Sequence, residues 1–236
     1  QTSSYRALKD FILMDFEGIR KDIVSMISGS IVPVNVRKFT NTPWEIESRD
    51  DVFTCLIHLG YLGYDSEERS CFIPNYELME EWISAIEDTS DYRSVVDLIR
   101  DSKALMEATW NGDEDAVAEA VARAHTEACS IQKYNNEGSF QSALHLAYYY
   151  AKSCYTIVNE LPGGKGFADV AFIPYKPDVP AIIIELKKDD TVDAAISQIR
   201  ERRYPEALEK YRDNLLLVAI TYDSKTKEHR ARIEKA

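Results

Sequence analysis

Apolar positions recur with the helical period at Leu8, Phe11, Ile12, Phe16, Ile19, Ile23 and Ile27, which predicts one helix closed by Gly29. The alternating IVPVNV of residues 31–36 reads as a short strand. Residues 50–59 read as a second helix and 60–74 as a Gly-punctuated hairpin, after which Asn75 caps a helix over 76–86. Together, 50–86 look like a small winged-helix-like module. One apolar stripe then runs through Tyr92, Val95, Val96, Ile99, Met106 and Trp110. Another runs through Val117, Ala120, Val121, Ala124, Ala128 and Ile131. Asn111-Gly112 separates the two and Asp113 is a good N-cap, so the pair predicts a helical hairpin. No segment repeats at a fixed period, so a solenoid is not supported.

After Tyr134 the pattern changes. Residues 137–152 predict a helix with Phe140, Leu144, Ala147, Tyr148 and Ala151 inward. Residues 155–159 are β-rich, LPGGKG (161–166) reads as a loop, and ADVAFIP (168–174) as a strand. AIIIELKK (181–188) is a strong strand, 191–203 a helix, NLLLVAIT (214–221) a strand buried on both faces, and HRARIEK (229–235) an edge strand. The expected organisation is a mainly helical region over 1–134 and an α/β domain over 135–236. In that domain the order α-β-β-β-α-β allows a meander followed by a helical crossover into the same sheet.

Composition narrows the class. The chain has 236 residues, 45% apolar and 29% charged, enough for a full core in one or two domains. No apolar run approaches the roughly 20 residues of a membrane span, and QTSSYRALKD does not resemble a signal peptide. The missing initiator Met is read as the mark of a piece of a longer protein. Cys55, Cys71, Cys129 and Cys154 are scattered without CxxC spacing, so neither a zinc site nor a disulfide framework is expected. A reducing, cytoplasmic setting follows. The net charge of −12 belongs entirely to residues 1–159, whereas 160–236 are balanced and carry the basic runs Lys187-Lys188 and Arg200-Glu201-Arg202-Arg203. Such a region can touch phosphate, although a solvated helix face explains the same runs.

The chemistry concentrates between Asp169 and Lys187. Alternation puts Ile183, Glu185 and Lys187 on one face of the strand and Ile182, Ile184 and Leu186 on the other. A Glu and a Lys on so apolar a strand are costly unless paired or bound to a metal. A turn at YKPDVP lets the preceding strand bring Asp169 toward Glu185. Two carboxylates at close range suit Mg²⁺, which takes oxygen ligands, water and substrate phosphate. The lysine can then orient a water or stabilise developing negative charge. An edge ion pair without a metal is the competing reading.

These residues, Asp169-(x15)-Glu185-Leu186-Lys187, resemble the PD-(D/E)XK nuclease superfamily. The surrounding words GKGFADVAFIP, PAIIIELKK, AISQIRERRYPEAL and NLLLVAITYD are similar to one subgroup of it, in which the nuclease-like domain follows an AAA-ATPase-like domain. HLGYLGYD…CFIPNYELMEEW looks like the joining segment of that subgroup. The resemblance covers residues 50–236 and is most specific over 163–223. It implies a restriction-endonuclease-like α-β-β-β-α-β core with a mixed sheet. It further implies Mg²⁺ or Mn²⁺ held by Asp169, Glu185 and the Leu186 backbone carbonyl, Lys187 as catalytic lysine, and DNA, less readily RNA, as substrate. Ala168 stands where the name-giving Pro would be, a position with no chemical group in the reaction. No GxxxxGK[ST] loop is present.

Further candidates surround this set. Glu137 lies on the inward stripe of its helix and could reach the metal, as a Glu on the first core helix does in many relatives. A helix N-terminal Glu favoured by the macrodipole is the alternative. Glu160 closes the strand before the Gly-rich segment, as a metal-supporting carboxylate or a solvated one. Lys165 sits on that segment and could hold a phosphate. Gln198 partly matches a Gln…Tyr motif of exonuclease-like relatives, with Tyr204 farther away than in the motif. His58, His125, His145 and His229 lack ligand spacing, and His145 reads as a packed histidine. Tyr148-Tyr149-Tyr150 could stack on bases, but core packing is favoured. Two functions compete: a metal-dependent nuclease, favoured by the complete Asp169/Glu185/Lys187 set, and a non-catalytic regulatory or protein-interaction module, favoured by the acidic first 159 residues.

Overall fold

The computed structural model describes residues 3–14, 16–38, 46–132, 137–163, 166–202 and 208–236. It divides into two compact units, residues 1–97 with 129–134 and residues 98–128 with 135–236.

In the first unit the helical stripe predicted through Ile27 is two helices, α1 (Ser3–Ile12) and α2 (Ile19–Ile27). Gly18 sits between them at φ +86, a left-handed conformation that glycine adopts at little cost and that breaks the helical ladder. Ile12 and Ile19 are seven residues apart, two helical turns, so the apolar period passes through the break unchanged. The strand expected over 31–36 shrinks to β1 (Val32–Pro33), followed by a 3₁₀ turn at Val36–Lys38. Pro33 has no N–H to extend a ladder. α3 (Arg49–His58), the hairpin β2 (Gly63–Asp65) and β3 (Ser70–Phe72), and α4 (Tyr76–Glu87) follow, with antiparallel strand order β1-β3-β2. Asn75 caps α4 by accepting the Leu78 N–H at 2.9 Å. Leu8, Ile23, Ile27, Phe53, Leu56, Trp82 and Ile86 are buried.

α5 (Arg93–Asn111) and α6 (Glu114–Gln132) form the expected long helices, and Asp113 accepts the Ala116 N–H at 3.1 Å as the N-cap. Their residues 98–111 and 114–128 belong to the second unit.

That unit continues with α7 (Glu137–Ala147), β4 (Tyr155–Gly163), β5 (Gly166–Pro174), β6 (Ala181–Lys188), α8 (Val192–Glu201), β7 (Leu215–Tyr222) and β8 (His229–Lys235). The expected α-β-β-β-α-β order is present, closed by β8 at the edge. The sheet order is β4-β5-β6-β7-β8, mixed, with only β6 and β7 parallel. Two antiparallel neighbours need only turns, whereas the parallel pair needs the α8 crossover. β4 runs on through Leu161, Pro162 and Gly163, where a loop was expected, because those residues pair with Ala168, Phe167 and Gly166 and Leu161 is buried there.

Each sheet face carries its own core. Val170, Phe172, Ile182, Ile184, Val218 and Ile220 pack with α5, α6 and α7. Ala171, Ile183, Leu217 and Ala219 pack with Ala195, Ile196 and Ile199 of α8. Tyr148 belongs to the first core, and its hydroxyl meets Thr109 Oγ1 at 2.8 Å, so the core reading of that tyrosine holds. Among the described residues no helix is long and apolar enough to cross a membrane.

Candidate active site

The site grows from β6. Ala181 to Ile184 are fully buried, worth about 1.5–3 kcal/mol for each large apolar side chain, and this anchors a strand that then carries charge. The even positions face α5–α7, so Glu185 and Lys187 lie on the face that α8 covers. Thr191 starts α8 by accepting the Ala194 N–H at 3.1 Å. That start places Gln198 two turns along, against Glu185.

Glu185 is 1% exposed. Its Oε1 accepts from Lys187 Nζ at 2.9 Å and from Gln198 Nε2. Its Oε2 is buried and has no hydrogen-bond partner among the described residues. Burial pushes the Glu185 carboxyl above its ordinary range. The Lys187 hydrogen bond opposes this, the Asp169 charge adds to it, and Arg202 at the C-cap of α8 opposes it more weakly.

Asp169 comes from β5. That strand pairs with β6 over three rungs, Val170↔Ile184, Ala171↔Ile183 and Phe172↔Ile182. The same register sets Asp169 opposite Glu185, where the ladder ends. There a side chain replaces the missing backbone rung: Asp169 Oδ2 accepts the Leu186 N–H at 2.7 Å. The β4–β5 ladder is also irregular at this level. Asn159↔Val170 and Leu161↔Ala168 flank a step that sets Glu160 opposite Asp169, with Glu160 in the left-handed region at φ +52. Val158 and Leu161 both pack toward α8, as do Ala168 and Ala171, although residues three apart in a regular strand face opposite ways.

Asp169, Glu185, Lys187 and Gln198 are thus brought together, and Leu186 contributes its N–H. Glu160 is exposed on the neighbouring strand. Glu137 opens α7, whose apolar residues pack on the sheet face opposite α8, and its side chain lies outside the described residues. Lys165 and Tyr204 also lie outside the described residues. Arg202 is the residue that sequence reasoning read only as part of a basic run. Its signal was available, since Gln198 and Arg202 are four apart and share a helix face.

The donor set fits a hard divalent ion. Glu185 holds a buried, orphaned oxygen beside a second carboxylate, and oxygen donors of this kind suit Mg²⁺ or Mn²⁺. Among the described residues no three His, Cys, Asp or Glu side chains converge to form a complete protein cage. Mg²⁺ does not require one, because water and phosphate fill its remaining positions. Lys187 is a cation held two residues from Glu185 on the same face, so it can face a phosphate at that ion.

Comparison with known proteins finds a match on this part of the chain. Residues 135–231 match the family model of the PD-(D/E)XK nuclease superfamily. No curated protein and no solved structure matches.

Proposed function

From the premise that residues 135–231 form a PD-(D/E)XK nuclease superfamily domain, we propose that this protein is a metal-dependent nuclease that hydrolyses DNA phosphodiester bonds. The observation that carries the reading is the buried Glu185, with one oxygen shared by Lys187 and Gln198 and the other unpartnered beside Asp169. A chain that used the fold only as a scaffold would gain nothing from a nearly inaccessible carboxylate raised in pKa and left half-satisfied.

In this reading Asp169 and Glu185, with the Leu186 carbonyl, hold Mg²⁺ or Mn²⁺. The bound ion lowers the pKa of its water and neutralises phosphodiester charge. Lys187 orients the attacking water for in-line displacement and stabilises the charge that develops on the phosphoryl oxygens. Gln198 fixes the Glu185 carboxylate and also contacts the substrate. Glu137, Glu160 and Lys165 are assigned supporting roles, the two carboxylates toward the metal and the lysine toward a phosphate. Residues 135–236, in one compact unit with 98–128, are taken as the catalytic domain, and the segment over residues 58–82 as part of the join to an AAA-ATPase-like domain, in a cytoplasmic protein.

The test is cleavage of single-stranded, duplex and branched DNA, and of RNA, with Mn²⁺ and with EDTA. Lys187→Ala should lose about 10²–10³ in turnover while metal binding survives. Cleavage that persists in EDTA, or that is unchanged in Lys187→Ala, overturns the mechanism. The acidic first 159 residues favour a protein-interaction module instead, and absence of cleavage on every substrate, even with an AAA-ATPase partner added, would select that reading.

A further inference from the structure

β5 and β6 form a fork. They pair only from Val170↔Ile184 to Phe172↔Ile182, and beyond that level each prong continues with its other neighbour. One prong is a two-stranded arm of β4 and β5 with the rungs Leu161↔Ala168, Pro162↔Phe167 and Gly163↔Gly166. The other is the end of β6 with β7, where Lys187 pairs with Thr221 and Lys188 with Tyr222. Asp169 and Glu185 stand at the base of the fork.

The arm carries an exposed aromatic ring on β5, at the rung Pro162↔Phe167. Phe167 is 59% exposed, whereas Tyr155 and Phe172 of the same two strands are each 1% exposed. It lies two residues from Asp169, about 7 Å along the strand.

Charge sharpens the question of how such a site holds substrate. The chain carries a net −12, and the unit around the fork has 18 Lys/Arg against 22 Asp/Glu. Neutralisation of phosphates is therefore left to the local runs Lys187-Lys188 and Arg200-Glu201-Arg202-Arg203 rather than to a broadly basic surface. Stacking of a base on an aromatic ring does not need a basic surface, and only an unpaired base offers its face.

We infer that Phe167 stacks on an unpaired base next to the scissile phosphate, so that the preferred substrate is DNA that is single-stranded at the cleavage site. This rests on the nuclease reading above and assigns the substrate class of that same site. A phosphate at the base of the fork meets Asp169, Glu185 and Lys187, and the base on its nucleotide turns to the arm.

The experiment measures binding and cleavage separately. Binding uses fluorescence anisotropy with one oligonucleotide, single-stranded or fully paired, in the Lys187→Ala background so that the DNA stays intact. Phe167→Ala should weaken single-strand binding about tenfold, Phe167→Trp should keep it, and duplex binding should be equal in all three. With Lys187 present, Phe167→Ala should raise KM for single-stranded DNA more than it changes kcat. An unchanged melting temperature checks that the fold is intact. If Phe167→Ala binds and cleaves single strands as its parent does, stacking is wrong while metal-dependent cleavage stands. If no variant binds or cleaves DNA, both the stacking and the nuclease reading fall.

Discussion

Asp169 and Leu186 meet where the two central antiparallel strands part, the Asp169 carboxylate accepting the Leu186 N–H at 2.7 Å. A side chain here takes the place of a backbone rung, so one carboxylate ends the ladder and, in the proposed function, also holds the metal. The two roles separate by substitution. Asp169→Asn keeps an oxygen acceptor for the N–H and removes the charge, whereas Asp169→Ala removes both. Melting in EDTA should therefore be nearly unchanged for Asp169→Asn and lowered for Asp169→Ala, by about 1–3 kcal/mol for the unsatisfied N–H. The parent should melt higher with Mn²⁺, and both variants should lose that rise. A full Mn²⁺ response in Asp169→Asn would remove Asp169 from the metal.

Glu185 sets a second expectation, with its sign fixed by burial. Its folded pKa is raised above the ordinary 4.5, so the folded chain holds this proton more tightly than the unfolded chain does. The contribution favours folding below that ordinary value and is lost as pH rises through the raised one. Glu185→Gln is neutral throughout and should match or exceed the metal-free parent in stability at neutral pH. The difference should vanish at acid pH, and the variant should show no Mn²⁺ response. Denaturation in EDTA at neutral and acid pH checks this; a variant much less stable than its parent at neutral pH contradicts it.

Three histidines predict the opposite slope. Burial, with Lys152 nearby, lowers His145 to about 4, and burial, with His125, lowers His229 to about 4. His125 is lowered too, by burial and by Lys188 and Lys227. His125 Nδ1 and His229 Nε2 share a hydrogen bond at 2.8 Å, so at most one proton lies between them. Depressed pKa values mean stability that is complete above 6.5 and lost as pH falls toward 4. The urea midpoint should drop over that interval, and a flat profile would show that these rings protonate freely in the folded chain.

The Tyr148 hydroxyl tests how α5 is joined to the sheet. Thr109 Oγ1 donates to the Leu105 carbonyl at 2.9 Å, so Tyr148 is the donor in its 2.8 Å bond to Thr109, and both side chains are fully buried. Thr109→Val preserves shape and strands the Tyr148 hydroxyl. It should cost about 1–3 kcal/mol, and adding Tyr148→Phe should restore part of the loss. Additive effects in that cycle would show that the two groups are not coupled.

Much of this protein is set by local pattern. The order of elements in residues 137–235, the buried run of Ala181–Glu185, the shared face of Glu185 and Lys187, and the approach of Asp169 follow from side-chain period and a turn at YKPDVP. Periodicity reports which face is buried, and in a strand that is enough to put residues two apart side by side. It does not report breaks that preserve phase, which is why Gly18 divides a stripe that reads as continuous. It does not report the partner of a face either. The extension of β4 to Gly163 depends on pairing with β5, and the inclusion of residues 98–128 in the second unit depends on packing against Ile182, Ile184 and Val218. The two partners of Glu185 Oε1, the orphaned Oε2 and the fork at Asp169 exist only once α8 has crossed over the sheet and β5 has left β6. A hydrogen bond between groups distant in sequence is decided by that closure, because no local periodicity encodes the distance between them.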